Sequence, residues 1–296
     1  MLIAALEVGG ENLICSIGSR EGNVMQRATF ASGAPEAAIV QAIEFFRMFD
    51  VKALGVGSFG PLDLDPTSAT YGYITGTPKA GWAHFPLLPA LRESLGVPVE
   101  IDTAVNAAAL AEHRMGAGRG ARSMLYLSVG AGIGGGLIIG GQPLHGMTHP
   151  ELGHMLVVPE EGDILPDGAC PFHRHCAEGM ASVPALEKRW GLPPQLMTED
   201  HPAWALEAAY IAQLCANTVL MVSPERIVLG GSVMKPHLYP MIRKRTLSLL
   251  GGYVENERIT EEGMQQYIVP AQLGINAGVT GALLLGAQAL QLQERE

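Results

Sequence analysis

Two of the four cysteines, Cys170 and Cys176, stand six residues apart, with His173 midway and His154 sixteen residues upstream of the first. Cys-x-x-His-x-x-Cys plus one earlier histidine offers two thiolate and two imidazole donors, a set that Zn²⁺ binds tetrahedrally. The competing chemistry is a Cys170–Cys176 disulfide, or loop residues with no shared role. Pro171 and its polar neighbours describe an exposed knuckle, which favours the metal. His175 falls outside the three-plus-three spacing and is set aside. Four protein donors leave no coordination position for water or substrate, so the expected Zn²⁺ is structural.

The elements that must hold this knuckle read as α/β. Residues 1–16 form a strand, a Gly9-Gly10 turn and a returning strand, followed by a second turn at 20–23. Helical spacing covers 35–49, a buried strand 53–59, a helix 86–95, a short strand 97–101 and a helix 106–112. A second start follows: strand 123–129, glycine turn 130–136 and returning strand 137–139. After the knuckle come helices at 183–190 and 202–222, a strand 226–229 feeding Gly230-Gly231, and a last apolar helix over 279–292. Two glycine-turned hairpins about 120 residues apart imply two related α/β halves facing a cleft, divided as 1–112 and 113–296.

Composition narrows the function. The 296 residues carry a net charge of −10, which disfavours nucleic acid and anionic membrane surfaces. Apolar residues make up 48%, yet no run reaches the roughly 18 needed to span a bilayer. The N-terminus opens in a strand with neither basic leader nor helix-turn-helix, and Cys15 and Cys215 read as core residues. A reducing cytoplasm is the expected location.

The motifs together resemble the ROK family of sugar kinases, in its bacterial fructokinase branch. They are Glu7-Val-Gly-Gly10, Gly57-Ser-Phe-Gly-Pro61, Thr77-Pro-Lys-Ala-Gly-Trp82, Val105-Asn-Ala-Ala-Ala-Leu110, Gly130-Ala-Gly-Ile-Gly134, His149-Pro-Glu-Leu-Gly-His154, the knuckle, Leu229-Gly-Gly231 and Asn276-Ala-Gly278. The resemblance implies a two-lobed actin-like/RNase-H-like ATPase fold with the zinc knuckle in the second lobe. It also implies ATP and Mg²⁺, a sugar hydroxyl as acceptor, and a homodimer. Zinc ligation by His154, Cys170, His173 and Cys176 gains support from it. Sugar contacts are carried onto Glu151, His154, Glu178 and Asn106, with Lys79 and Trp82 as a loop cover. Nucleotide-side glycines are Gly9, Gly10, Gly130, Gly132, Gly230, Gly231 and Gly278. Glu151 lies three residues before His154, so a metal-pinned His154 would hold it toward sugar. Its plainer role is a helix-start carboxylate that suits the helix dipole.

Three positions depart from the family pattern. Glu11 stands where the first turn carries Thr, Ala131 where the second carries Thr, and Ala104 where the proton-accepting Asp belongs. A carboxylate about 4 Å from a phosphate costs ~4 kcal/mol at an effective dielectric near 20. A lost hydroxyl donor to a charged group costs ~1.5–3 kcal/mol. Loss of a general base costs about 10²–10⁴ in rate. Asp102, two residues earlier and on the same strand face if the strand continues, is the candidate substitute base. Glu11 is either a repurposed acid/base or a solvated turn residue. The expectation is a sugar-binding protein of kinase lineage with weakened phosphoryl transfer, using ATP and Mg²⁺ only if that activity persists. A non-catalytic sugar sensor and an ATP-independent sugar enzyme are the alternatives.

Overall fold

A computed structural model of the chain describes residues 1–295. It divides into two compact units, and the chain returns to the first unit twice. Unit one holds Met1–Arg114, Gln142–Pro150 and the C-terminal segment from Ile275; unit two holds Met115–Gly141 and Glu151–Gly274. Sequence alone suggests a single break near residue 112, because the returning segments lack any composition change to announce them.

Unit one is built on a mixed sheet in the order β3-β2-β1-β4-β5. Strands β1 (Leu2–Val8), β2 (Asn12–Gly18) and β3 (Val24–Ala31) run as an antiparallel meander, and β4 (Val51–Ser58) and β5 (Val99–Thr103) add in parallel. The period of two in β1 separates its faces. Ala4, Leu6 and Val8 join α1 (Pro35–Arg47) and α2 (Leu87–Leu95) in one core through Ile39, Phe46, Leu88 and Leu91. Ile3 and Ala5 pack against Ala282, Leu283 and Leu290 of the last helix, α9 (Ala277–Gln293). That helix rests almost backbone-on-backbone against β4. A Cβ on Gly55 would lie 1.7 Å from the Ala282 carbonyl oxygen, so only glycine permits the contact.

Strand β5 stops at Thr103 for a local reason. The Thr103 hydroxyl accepts the Asn106 N–H at 3.1 Å, capping α3 (Ala104–Met115). The expected helix start at 106 therefore moves back to 104. The argument that Asp102 and residue 104 share one strand face fails with it.

In unit two, β6 (Ser123–Val129) pairs antiparallel with β7 (Ile133–Ile139) and parallel with β9 (Arg226–Gly230), which pairs in turn with β10 (Ile268–Pro270). The second glycine turn is only 130–132; Gly134, Gly135 and Gly136 already belong to β7. From the two-residue β8 (Gln142–Pro143) onward the chain belongs to unit one until Pro150. The core of unit two gathers β6 and β9 with α6 (Ala203–Val222) and α7 (Leu238–Leu250), and with the shorter α4 (Ala177–Ala181), α5 (Val183–Trp190) and α8 (Met264–Tyr267). Among the described residues two helices are long and apolar enough to cross a membrane, Ala203–Val222 and Gly274–Gln293, beyond what runs of apolar residues alone suggested. The most apolar windows are 67% and 61% buried, so the apolar surface is used as core.

Candidate active site

In unit two, the four predicted metal ligands converge. His154 Nδ1 lies 3.6 Å from Cys176 Sγ and 3.9 Å from Cys170 Sγ, and His173 Nδ1 lies 3.8 Å from Cys170 Sγ. Ideal Zn–S and Zn–N bonds at tetrahedral angles put sulfur and nitrogen about 3.6 Å apart. All four donor atoms fall within 4.8 Å of one another, and both cysteines are free thiols. The donor set and spacing therefore fit a tetrahedral metal, and the disulfide alternative is not formed. His175 stays outside the cluster, 4.0 Å from Asp167.

The cluster continues into two carboxylates. Leu152–His154 is a single 3-10 turn, whose period of three puts Glu151 and His154 on one side. The His154 N–H donates to the Glu151 carbonyl at 2.9 Å. His154 Nε2 lies 4.0 Å from Glu178 Oε1, while Glu178 Oε2 accepts the Ile133 N–H at 3.0 Å. Burial pushes the Glu151 carboxyl up, and the neighbouring Glu178 charge pushes it further. Glu178 also fills the space above the second turn, where a Cβ on Gly132 would lie 2.7 Å from Oε2.

Behind that turn runs the 230–233 segment. Gly231 has φ +97, and a Cβ there would meet the Val129 carbonyl oxygen at 2.2 Å. Gly130, Gly132, Gly230 and Gly231 are thus brought into one glycine-lined wall. Ala131 is exposed at its crest.

In unit one, the first turn closes with the Gly9 N–H donating to the Asn12 carbonyl at 2.9 Å, leaving Gly10 and Glu11 exposed. Lys79 joins this turn: its Nζ donates to the Gly9 carbonyl at 3.1 Å and to Ser32 Oγ at 2.6 Å. It also sits 4.8 Å from the ring centres of Phe59 and Trp82. Desolvation lowers the Lys79 pKa. Trp82, expected to cover sugar, is instead fully buried, and its indole N–H is used by the Ser32 and Gly33 carbonyls at 3.1 and 3.0 Å. It is a core residue that backs Lys79.

Glu7 lies beneath the same turn, its carboxylate 2.5 Å from where a Gly278 Cβ would stand. Its Oε2 has no hydrogen-bond partner among the described residues. Burial raises the Glu7 pKa, with Arg27 pulling it partly back. Sequence reasoning quoted Glu7 in a motif without giving it a role; its orphaned oxygen appears only once α9 closes over it.

Asp102 is not a free base. It is 2% exposed and accepts three donors: the Thr103 N–H at 2.7 Å, Asn106 Nδ2 at 2.7 Å and His145 Nε2 at 3.0 Å. Asn106, expected to meet sugar, has its amide nitrogen committed to Asp102, while its Oδ1 is without a partner among the described residues. His145 went unnoticed in the sequence because a lone loop histidine carries no spacing signal. Nearby, His149 Nε2 accepts the Leu62 N–H at 3.0 Å, tying the 142–150 segment to the loop after β4.

Residues 3–289 match the profile of the ROK family. The chain is a member of the ROK family. It is 40% identical over 293 residues to a putative fructokinase of Bacillus subtilis (strain 168), covering 99% of this chain and 97% of that one. It is 38% identical to a fructokinase of Pediococcus pentosaceus, covering 98% and 99%. Among solved structures, a ROK family glucokinase from Streptomyces griseus in complex with glucose and AMPPNP superposes with a TM-score of 0.78 at 25% identity, covering 97% of this chain and all of that one. By lineage the chain is thus a ROK sugar kinase with the actin-like ATPase fold of that family, and a non-kinase reading is not favoured.

Proposed function

We propose that this ROK protein phosphorylates a hydroxyl of fructose from MgATP, at a rate held down by its altered phosphate and base positions. The observation that carries the sugar half is the array of Glu151, His154 and Glu178 around the thiolate–imidazole cluster. Two carboxylates held by a rigid backing suit a ligand that is a ring of hydroxyl donors. Similarity to fructokinases over nearly the full chain supports fructose among hexoses.

The donor set fits Zn²⁺ at His154, Cys170, His173 and Cys176, where the ion would lock the knuckle and deprotonate both thiols. His154 would then carry the metal on Nδ1, with Nε2 on the side of Glu178 at 4.0 Å, a separation longer than a hydrogen bond. The orphaned Glu7 Oε2 fits a hydrated Mg²⁺, which would supply charge neutralisation for the phosphates. Lys79 holds the backbone of the first turn and brings positive charge beside it, opposing the Glu11 carboxylate. The exposed turn glycines Gly10 and Gly132 leave backbone amides as the donors for phosphate oxygens in this reading, without the Thr hydroxyls that the family adds. A homodimer in the cytoplasm belongs to the same proposal.

The test is a coupled ADP-release assay with fructose, glucose and mannose, read beside thermal shifts with each sugar and with MgATP. Fructose-dependent ADP release and stabilisation by both ligands support the reading. Stabilisation by sugar alone, with no ADP at any enzyme concentration, overturns it.

A further inference from the structure

We propose that His145, held by Asp102, is the proton acceptor of the phosphoryl transfer, in place of the carboxylate that Ala104 lacks. This deepens the kinase reading above and rests on it. The geometry is that of an aspartate–histidine dyad. Asp102 is buried and already satisfied by two further donors, so it serves to orient rather than to take a proton. Its Oδ2 meets His145 Nε2 at 3.0 Å, which puts the imidazole proton on Nε2 and the lone pair on Nδ1. Nδ1 has no hydrogen bond among the described residues. The His145 side chain is 41% exposed against 3% for Asp102, so the base is reachable and its orienting carboxylate is not.

Position supports the assignment. His145 Nε2 stands 3.5 Å from Asn106 Nδ2, and Ala104 lies two residues before Asn106 on the first turn of α3. The imidazole thus contacts Asp102 and Asn106, the residues two before and two after the vacated base position. It borders a cavity of about 740 Å³ within unit one, whose wall also includes Tyr71, Glu100, Asp65 and Gln288.

Atoms and charges balance as follows. The sugar hydroxyl oxygen bonds to the γ-phosphorus, and the γ-phosphorus bond to the bridging oxygen breaks with its electron pair leaving on ADP. The hydroxyl proton passes to His145 Nδ1, and the resulting imidazolium is stabilised by Asp102. The ionisable groups facing His145 are Asp102 and Glu100 from β5, His149 from its own segment, and Asp65 and Tyr71 across the cavity. Asp102 and Glu100 raise its pKa above 6.5 while partial burial opposes them.

The experiment is the pH dependence of kcat and KM for fructose in wild type, His145→Gln, Asp102→Asn, Ala104→Asp and Ala104→Asp/His145→Gln. Wild type should lose activity on an acid limb above pH 6.5, as the imidazole protonates. His145→Gln should lower kcat by about 10²–10⁴ with little change in KM, and should abolish that limb. Asp102→Asn should shift the limb to lower pH, a displacement that a merely structural role for Asp102 would not produce. The double variant should regain turnover with a limb near 4, the ordinary aspartate range. Wild-type kcat and an unmoved acid limb in His145→Gln overturn the proposal. So does turnover in Ala104→Asp with none in wild type, which spares the kinase reading. Fructose binding with no turnover in any variant removes both.

Discussion

Replacing Gly132 with Ala is the sharpest probe of the carboxylate wall in unit two. The added methyl would lie 2.7 Å from Glu178 Oε2, whereas ordinary Cβ contacts begin near 3.4 Å. The Glu178 carboxylate, at the end of a flexible side chain, must retreat by roughly 0.7 Å, which strains the 3.0 Å bond it accepts from the Ile133 N–H. A hydrogen bond to a charged group is worth ~1.5–3 kcal/mol, and here part of it returns through water because the Glu178 side chain is 27% exposed. If Glu178 holds sugar hydroxyls, the same displacement weakens fructose binding by about tenfold or more. Calorimetric titration with fructose measures this, with zinc content read on the same samples. Gly33→Ala is the control, since nothing stands within 4 Å of a Cβ there. Unchanged fructose affinity in Gly132→Ala, with zinc retained, would refute the placement of Glu178 in the sugar wall.

Further expectations follow from other parts of the structure. Purified protein should carry one zinc per chain, and Cys176→Ser or chelation should lower thermal stability, by about 4 kcal/mol if free zinc stood a thousandfold above its Kd; elemental analysis with calorimetry checks both. Gly231→Ala should destabilise by at least ~1–3 kcal/mol from its φ of +97, before the clash with Val129, as read by denaturant unfolding. Arg189 and Asp163 pair at 2.7 Å with side chains 1% and 0% exposed, so Arg189→Met should cost ~3–5 kcal/mol by stranding a buried carboxylate. Burial alone would raise the Asp163 pKa, but donors from Arg189, Tyr210 and the Leu165 N–H outweigh it and hold it low. Its contribution to stability is therefore full above the unfolded value near 3.8 and is lost as pH falls through the lower folded value. Acid unfolding followed by circular dichroism should show this loss in wild type and not in Asp163→Asn.

Local signals in the sequence carried the parts of this protein that are locally determined. The His/Cys cluster was legible because its donor residue types stand at short, regular spacings, and His154, Cys170, His173 and Cys176 do converge. The two hairpins were legible because strand alternation breaks at glycine, although the second turn proved shorter than its glycine run. Strand β3 was missed because Val24, Met25 and most of its neighbours are exposed, leaving no apolar alternation to read. Helix α7 was missed because Arg243, Lys244 and Arg245 interrupt its apolar face, which buries only a few positions. The site errors share one cause, partners distant in sequence. Trp82 looked like a ligand cover until the Ser32 and Gly33 carbonyls, about fifty residues away, took up its N–H. Asp102 looked like an available base until His145, forty-three residues on, and the Asn106 amide and Thr103 N–H at the start of α3 claimed it.

The reaction itself is open to direct observation. Phosphorus NMR of fructose incubated with MgATP and the zinc-loaded protein should show a sugar phosphomonoester growing in step with ADP, and only when fructose is present. ATP consumed equally without sugar, or a mixture unchanged after prolonged incubation at high protein concentration, would contradict the assignment of this chain as a fructose kinase.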